Sequence, residues 1–312
     1  MINRYRGCLL GLACGDAVGT TVEFHTRGSF APVTDMAGGG PFGLRPGEWT
    51  DDTSMALCLA ESLVEVGGFD ARDQMERYLR WMHEGYLSSN GICFDIGNTV
   101  SGALHRYQRT GDPYSGSTDP LTAGNGSVMR LAPVPMAYAG DLNDVARYSA
   151  ESSRTTHGAQ EAVDACRLFG IMLALALRGE SRDTVLFQSL HRLNTLGGPA
   201  LSPSIEQIGA GAYRDKEKDA IRGSGYVVQS LEAALWCFWK TNDYRGAILE
   251  AVNLGDDADT TAAICGQLAG AYYGTGGMPL DWLSKLASRS LIEALANRLY
   301  ALSGQHSQGT WR

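Results

Sequence analysis

The chain has 312 residues, and its 26 basic and 34 acidic side chains give a net charge of −8. Hydrophobic residues at 44% and charged residues at 19% supply enough apolar surface for a large core and exclude global disorder. An isoelectric point near 5.3 argues against non-specific nucleic-acid binding, which needs a broad basic face.

The chain opens on a short apolar run that ends at Asp16 without a cleavage context. No later stretch reaches the roughly 20 apolar residues that span a bilayer, so no membrane association is expected. The seven cysteines are scattered and form no C-x-x-C pair. Buried thiols in a reducing compartment fit this better than a zinc ribbon or a disulfide framework, so a cytoplasmic protein is expected.

Taken in order, the chain reads as helices joined by glycine-rich loops. Residues 54–66 are rich in Ala, Leu, Met and Glu, which lose little rotamer freedom in a helix. Met75, Tyr78, Leu79 and Met82 recur at helical spacing, and Val228, Leu231, Ala234, Leu235 and Phe238 repeat the stripe. Residues 159–177 are apolar on almost every face, as in a central buried helix. Further helices are expected over 98–108, 143–153, 182–193, 243–253, 260–273 and 280–302. Alternating strand patterns of useful length are missing. The expectation is an all-α fold: one compact multi-helix bundle domain over 1–303, taken as a monomer, with 304–312 as a flexible tail.

Four loops, 25–50, 109–127, 195–226 and 253–258, hold many of the 39 glycines. Long loops on a rigid scaffold are where sites tend to be built. Two acidic runs stand at the ends of such loops, each just before a helix: Thr50-Asp51-Asp52-Thr53 and Asp256-Asp257-Ala258-Asp259-Thr260. Helix capping accounts for one oxygen at each start. It does not account for several carboxylates and hydroxyls in so few residues. Asp51, Asp52, Asp257 and Asp259 together carry four negative charges, which two Mg²⁺ or Mn²⁺ ions would balance with hard oxygen ligands.

The other polar segments suit a nucleotide-like ligand. Gly124-Asn125-Gly126-Ser127 reads either as a backbone nest for phosphate or as a plain turn. Asp95 precedes a helix start at Asn98, His157 is a lone histidine, and Tyr226 follows a flexible Gly-Ser-Gly. Gly38-Gly39-Gly40-Pro41-Phe42-Gly43 formally matches G-x-G-x-x-G, but no strand precedes it and no helix follows, so a dinucleotide fold is rejected.

In this order and spacing the segments resemble the ADP-ribosylglycohydrolase family, with the dinitrogenase-reductase-activating glycohydrolases as the nearest branch. The likeness runs through Arg6-Gly7-Cys8-Leu9-Leu10-Gly11, Gly15-Asp16-Ala17-Val18-Gly19, Val22-Glu23-Phe24, Thr50-Asp51-Asp52-Thr53 and Asp95-Ile96-Gly97-Asn98-Thr99. It continues through Gly124 to Arg130, Thr156-His157, Gly225-Tyr226-Val227-Val228 and Gly255 to Thr260. The resemblance implies an all-α hydrolase that removes ADP-ribose from a protein side chain, most often arginine, releasing free ADP-ribose. It implies metal ligation by Thr50, Asp51, Asp52, Asp257, Asp259 and Thr260, and catalytic carboxylates at Glu23 and Asp95. It implies ligand contacts from Asn98, Gly124, Asn125, Gly126, Ser127, His157 and Tyr226. Asp256 and Ala258 depart from the family's Gly-Asp-Thr-Asp-Thr run without removing a carboxylate ligand. Two alternatives accompany this reading: hydrolysis of another ADP-ribose linkage, to serine, nucleic acid or an O-acyl group, and non-catalytic ADP-ribose binding.

Overall fold

The computed structural model describes residues 1–309. Among them are fourteen α-helices: α1 (Ile2–Gly19), α2 (Asp51–Val66), α3 (Ala71–Glu84), α4 (Asn98–Thr110), α5 (Pro133–Tyr138), α6 (Leu142–Arg154), α7 (Gln160–Arg178), α8 (Ser189–Thr195), α9 (Pro203–Gly209), α10 (Val227–Lys240), α11 (Tyr244–Val252), α12 (Ala258–Tyr273), α13 (Leu280–Lys285) and α14 (Arg289–Gly309). Bridges outside any strand join Gly39 to Leu44, Ser117 to His157 and Gly124 to Tyr226.

The expected stripes face the core. Met75 and Tyr78 of α3 and Leu231, Leu235 and Phe238 of α10 are fully buried, and α7 is buried from Ala162 to Leu177. Helix ends follow local chemistry. Asp70 caps α3 by accepting from the N–H groups of Arg72 and Asp73. Gly67, Gly85, Gly111 and Gly179 close α2, α3, α4 and α7 in the left-handed conformation, which costs glycine no Cβ clash.

At the centre, α1 lies against α12 with almost no side chain between them. Gly7, Gly11, Gly15 and Gly19 recur every four residues, which places them on one ridge of the helix. A Cβ at Gly11 would lie 2.3 Å from the Gly266 carbonyl oxygen, one at Gly15 2.2 Å from that of Ala262, and one at Gly19 2.4 Å from the Asp259 Cα. The two backbones are therefore in direct contact. This seam carries Asp16 of α1 beside Asp259 of α12, and so builds the floor of the site.

Several expectations need correction. The opening apolar run, which none of the expected helices covers, forms α1, buried on nearly all faces. The helix expected over 182–193 begins as a π-turn at Thr184–Gln188 before α8. The segment 195–226, expected as loop, contains α9. The long helix expected over 280–302 is broken into α13 and α14. The break is fixed from outside: Ala287 donates its N–H to Gly47 O (2.9 Å) and accepts from Trp49 Nε1 (3.1 Å), while Ser288 takes φ 53°. Helix α14 runs on to Gly309, into the segment expected as tail, and 310–312 lie outside the described residues.

Candidate active site

The two acidic runs do start helices, yet neither spends its carboxylates on capping. Thr50 stands at the cap position of α2 and Asp257 at that of α12, and neither side chain accepts from its own first turn. The carboxylates instead converge on the α1–α12 seam. One oxygen each from Asp16, Asp52 and Asp259 lies within 4.8 Å of the others, and the same holds for Glu23, Asp95 and Asp259. Asp259 thus joins two groups of three.

Asp16 was not among the expected ligands. Its Oδ1 accepts from the N–H and Oγ1 of Thr50 (2.9 and 3.0 Å), and its Oδ2 from the N–H and Oγ1 of Thr53 (3.0 and 2.6 Å). A carboxylate has about four acceptor positions, so Asp16 is filled by these donors and acts as the anchor for the start of α2. Asp52 Oδ1, Asp259 Oδ1 and Glu23 Oε2, in contrast, are buried without a partner. An orphaned buried carboxylate oxygen is costly. Oxygen-only donors with spare lone pairs fit a hard divalent cation. Thr50 Oγ1 and Thr260 Oγ1 each lie 3.3 Å from Asp52 Oδ2, which adds hydroxyl oxygens to the same cluster.

Burial and mutual repulsion hold these groups toward their protonated forms. Burial, then the charges of Asp95, Asp257 and Asp16, pushes Glu23 up to about 9. Asp95 rises to about 7 through burial and the charges of Asp16 and Asp257, opposed by hydrogen bonds with Asp51 and Glu23. Asp16 rises only to about 6, because the Thr50 and Thr53 donors work against its burial. Asp51, Asp52 and Asp259 are raised well above the usual carboxylate range by burial and their acidic neighbours. Asp257 is raised by burial and steadied by Asn125, whose Nδ2 donates to its Oδ2 at 2.7 Å.

Above the carboxylates opens a cleft of about 610 Å³, whose wall includes Glu23, Asp51, Asp95, Asn98, Gly124, Asn125, Gly126, His157, Asp257, Asp259 and Thr260. Helix α4 presents its N-terminus here, with Gly97 at the cap and no side chain filling the cap position. Backbone strain gathers at the same place: Phe24, Asp95 and Asp256 are non-glycine residues with φ of 64°, 59° and 56°. Phe24 N–H donates to Asp256 O (2.8 Å) and Asp256 N–H to His25 O (2.7 Å), so two strained turns brace each other.

Three expected ligand contacts are placed differently from the plain reading. Ser127 is buried behind the cleft, where Ser153 Oγ donates to its Oγ at 2.9 Å. The phosphate nest is incomplete, since Gly124 N–H donates to Thr122 O and Asn125 N–H to Gly225 O. Tyr226, 39% exposed, belongs to an adjoining groove of about 660 Å³ that shares Thr99, Gly124 and Gly225 with the cleft. Its hydroxyl donates to Glu161 Oε2 at 2.6 Å. His157 does line the cleft. Burial and the nearby Arg130 charge push it down to about 3, so its ring is neutral. A Cβ at Gly126 would lie 2.8 Å from that ring, which accounts for the glycine.

Sequence reasoning passed over Asp16, Thr53, Phe24 and Phe42 as site residues. The available signal for Asp16 was a lone carboxylate closing the apolar run that begins at Gly7.

The chain belongs to the ADP-ribosylglycohydrolase family, whose profile matches residues 1–309. It is 48% identical to the ADP-ribosylarginine hydrolase Tri1 of Pseudomonas putida strain GB-1, over 96% of this chain and 78% of that protein. It is 34% identical to the ADP-ribosyl-[dinitrogen reductase] glycohydrolase of Rhodospirillum rubrum, over 97% of each. A solved structure described as an ADP-ribosylglycohydrolase-related protein complex superposes with a TM-score of 0.84 at 44% identity, covering 97% of this chain and 98% of that one. Among the described residues no helix is long and apolar enough to cross a membrane.

Proposed function

We propose that this protein hydrolyses the N-glycosidic bond between ADP-ribose and an arginine side chain of a modified protein. The observation that carries the reading is the set of buried, unpartnered oxygens on Glu23 and Asp259, which line one cleft, and on Asp52, which clusters with Asp259, in a chain related over nearly its whole length to an ADP-ribosylarginine hydrolase.

Thr50, Asp51, Asp52, Asp257, Asp259 and Thr260 would hold two divalent cations, Mg²⁺ or Mn²⁺. Such ions supply positive charge that offsets the carboxylates, orients sugar hydroxyls and makes water a better nucleophile. Asp16 holds the start of α2, and with it Thr50 and Asp52, in register. The uncapped N-terminus of α4, with Asn98, offers N–H groups to the diphosphate. Gly124, Asn125, Gly126 and the neutral His157 line the rest of the ligand, and Tyr226 extends the surface into the adjoining groove. Ser127 supports this wall from behind. Glu23 and Asp95, which both line the cleft, would flank the scissile bond. As water adds to the anomeric carbon and the C–N bond breaks, this pair takes the water's proton and returns it to the leaving guanidine. Free ADP-ribose and unmodified arginine are the products.

Turnover of two peptides that differ only in an arginine- or serine-linked ADP-ribose, with and without Mg²⁺ or Mn²⁺, tests the reading. The arginine peptide is expected to be cleaved with much the higher kcat/KM, and only with metal. Absence of turnover on the arginine peptide, or a preference for serine, overturns it.

A further inference from the structure

The glycine-rich segment that fails as a nucleotide loop has another use in the structure. It forms a tight hairpin in which Gly39 and Leu44 exchange both backbone hydrogen bonds (2.7 and 2.9 Å). Gly38, Gly39, Gly40 and Gly43 all take positive φ. A Cβ at Gly40 would lie 1.9 Å from Thr20 O, so the hairpin is pinned against the turn that follows α1. Its tip sets Phe42 into the cleft wall, with the ring 5.2 Å from that of Phe94 at an angle of 56°.

Phe24 is the second aromatic residue of that wall. It is 68% exposed and held in a left-handed conformation that a bulky side chain rarely adopts. Core packing explains neither its exposure nor its strain. The order along the chain is informative: Glu23 is followed by Phe24, and Asp95 is preceded by Phe94. Each cleft carboxylate outside the α2 and α12 runs therefore has an aromatic neighbour.

We propose that Phe24 and Phe42 form an aromatic subsite for the guanidinium of the arginine, beside Glu23 and Asp95, and that this subsite sets the preference for arginine over other linkages. The inference rests on the arginine-directed hydrolysis proposed above. A guanidinium is planar and weakly hydrated, so its faces stack on aromatic rings while its edges donate to carboxylates. A serine linkage presents neither a cation nor a plane. The aromatic rim and the acidic floor together match a flat cation and give a neutral alkyl oxygen little to bind.

The test uses the full chain and its Phe24→Ala, Phe42→Ala, Phe42→Leu and Phe42→Tyr variants, loaded with Mn²⁺. Two quantities are measured: kcat/KM on an ADP-ribosyl-arginine peptide, and Kd for free ADP-ribose, which lacks the guanidinium. The alanine variants should lose roughly two- to thirty-fold in kcat/KM and keep the wild-type Kd. Phe42→Leu should behave like alanine, because it keeps apolar area but has no ring face, and Phe42→Tyr should restore turnover. The subsite is overturned if both alanine variants match the wild type, if Phe42→Leu does, or if Kd weakens in step with kcat/KM. A wild type that does not cleave the peptide refutes the proposed function and the subsite with it. An active wild type with indifferent variants removes the subsite alone.

Discussion

Asp70 at the start of α3 and Asp257 at the start of α12 occupy the same position in their helices, and their side chains do opposite things. Asp70 accepts from the N–H groups of Arg72 and Asp73, and Asp141 and Asp243 cap α6 and α11 in the same way. Asp257 caps nothing in its own helix and instead accepts from Asn125 in the cleft wall. Asp51 and Asp52, in the first turn of α2, are buried among other carboxylates. The presence of an acid at a helix start is thus uninformative by itself. An acid that its helix leaves unused, in a buried place, marks chemistry.

The largest effect should come from the unused acids. Asp259→Asn joins neither group of three as a full charge, so turnover of an ADP-ribosyl-arginine peptide should fall below detection while the helical circular-dichroism signal persists. The metal-free variant should melt at or above the wild-type temperature, because the amide is neutral without having to take up a proton in the buried acidic cluster. Full activity would remove the carboxylate site from the mechanism.

Next comes the anchor. In Asp16→Asn the amide NH₂ would meet N–H donors of Thr50 or Thr53, so bonds that now fill the carboxylate are lost. Supporting partners of a metal site are worth about 10–100-fold in affinity or activity. A loss of that size in Mn²⁺ affinity, measured by titration calorimetry, is expected. An unchanged affinity would make Asp16 a purely local brace.

The third test uses pH. The folded chain keeps protons on carboxylates that the unfolded chain releases near the ordinary value of about 4, with Glu23 held up to about 9 and Asp95 to about 7. Where the folded state binds more protons, stability falls as pH rises. The metal-free protein should therefore lose stability between about pH 4 and pH 9. Added Mn²⁺ should raise the melting temperature more at pH 8 than at pH 5, since the ion displaces those protons. A metal-induced shift that shrinks with rising pH would contradict the cluster.

The smallest effect belongs to the spent acids. Asp70→Ala should cost about 1 kcal/mol of unfolding free energy and leave kcat/KM unchanged, which denaturant melts and peptide turnover can check together.

What was legible in the chain follows from the same distinction. The stripes of α3 and α10 show because one face is apolar and the other polar. The acidic runs show because several carboxylates are adjacent in sequence. Helix α1 is hidden in the sequence because Gly7, Gly11, Gly15 and Gly19 give it poor helix propensity, although those same glycines let it pack against α12. Asp16 is a single acid whose meaning depends on Thr50 and Thr53, more than thirty positions away. The break between α13 and α14 has no local cause at all; it is imposed by Gly47 and Trp49. Ser127 sits within a recognisable motif, but only the packing of Ser153 shows that it turns away from the cleft.

The glycine ridge of α1 also has a consequence for biosynthesis. Its counterpart on α12 lies some 250 positions later in the chain, with Tyr244 of α11 also reaching back to the Gly11 carbonyl at 2.8 Å. Long-range closures of this kind come late in folding. As the polypeptide leaves the ribosome, α1 has no surface to bury its bare backbone face until α12 has emerged. The acids of α1 and α12 therefore remain apart until about 240 further residues have been added, and the acidic floor is complete only once α12 has emerged.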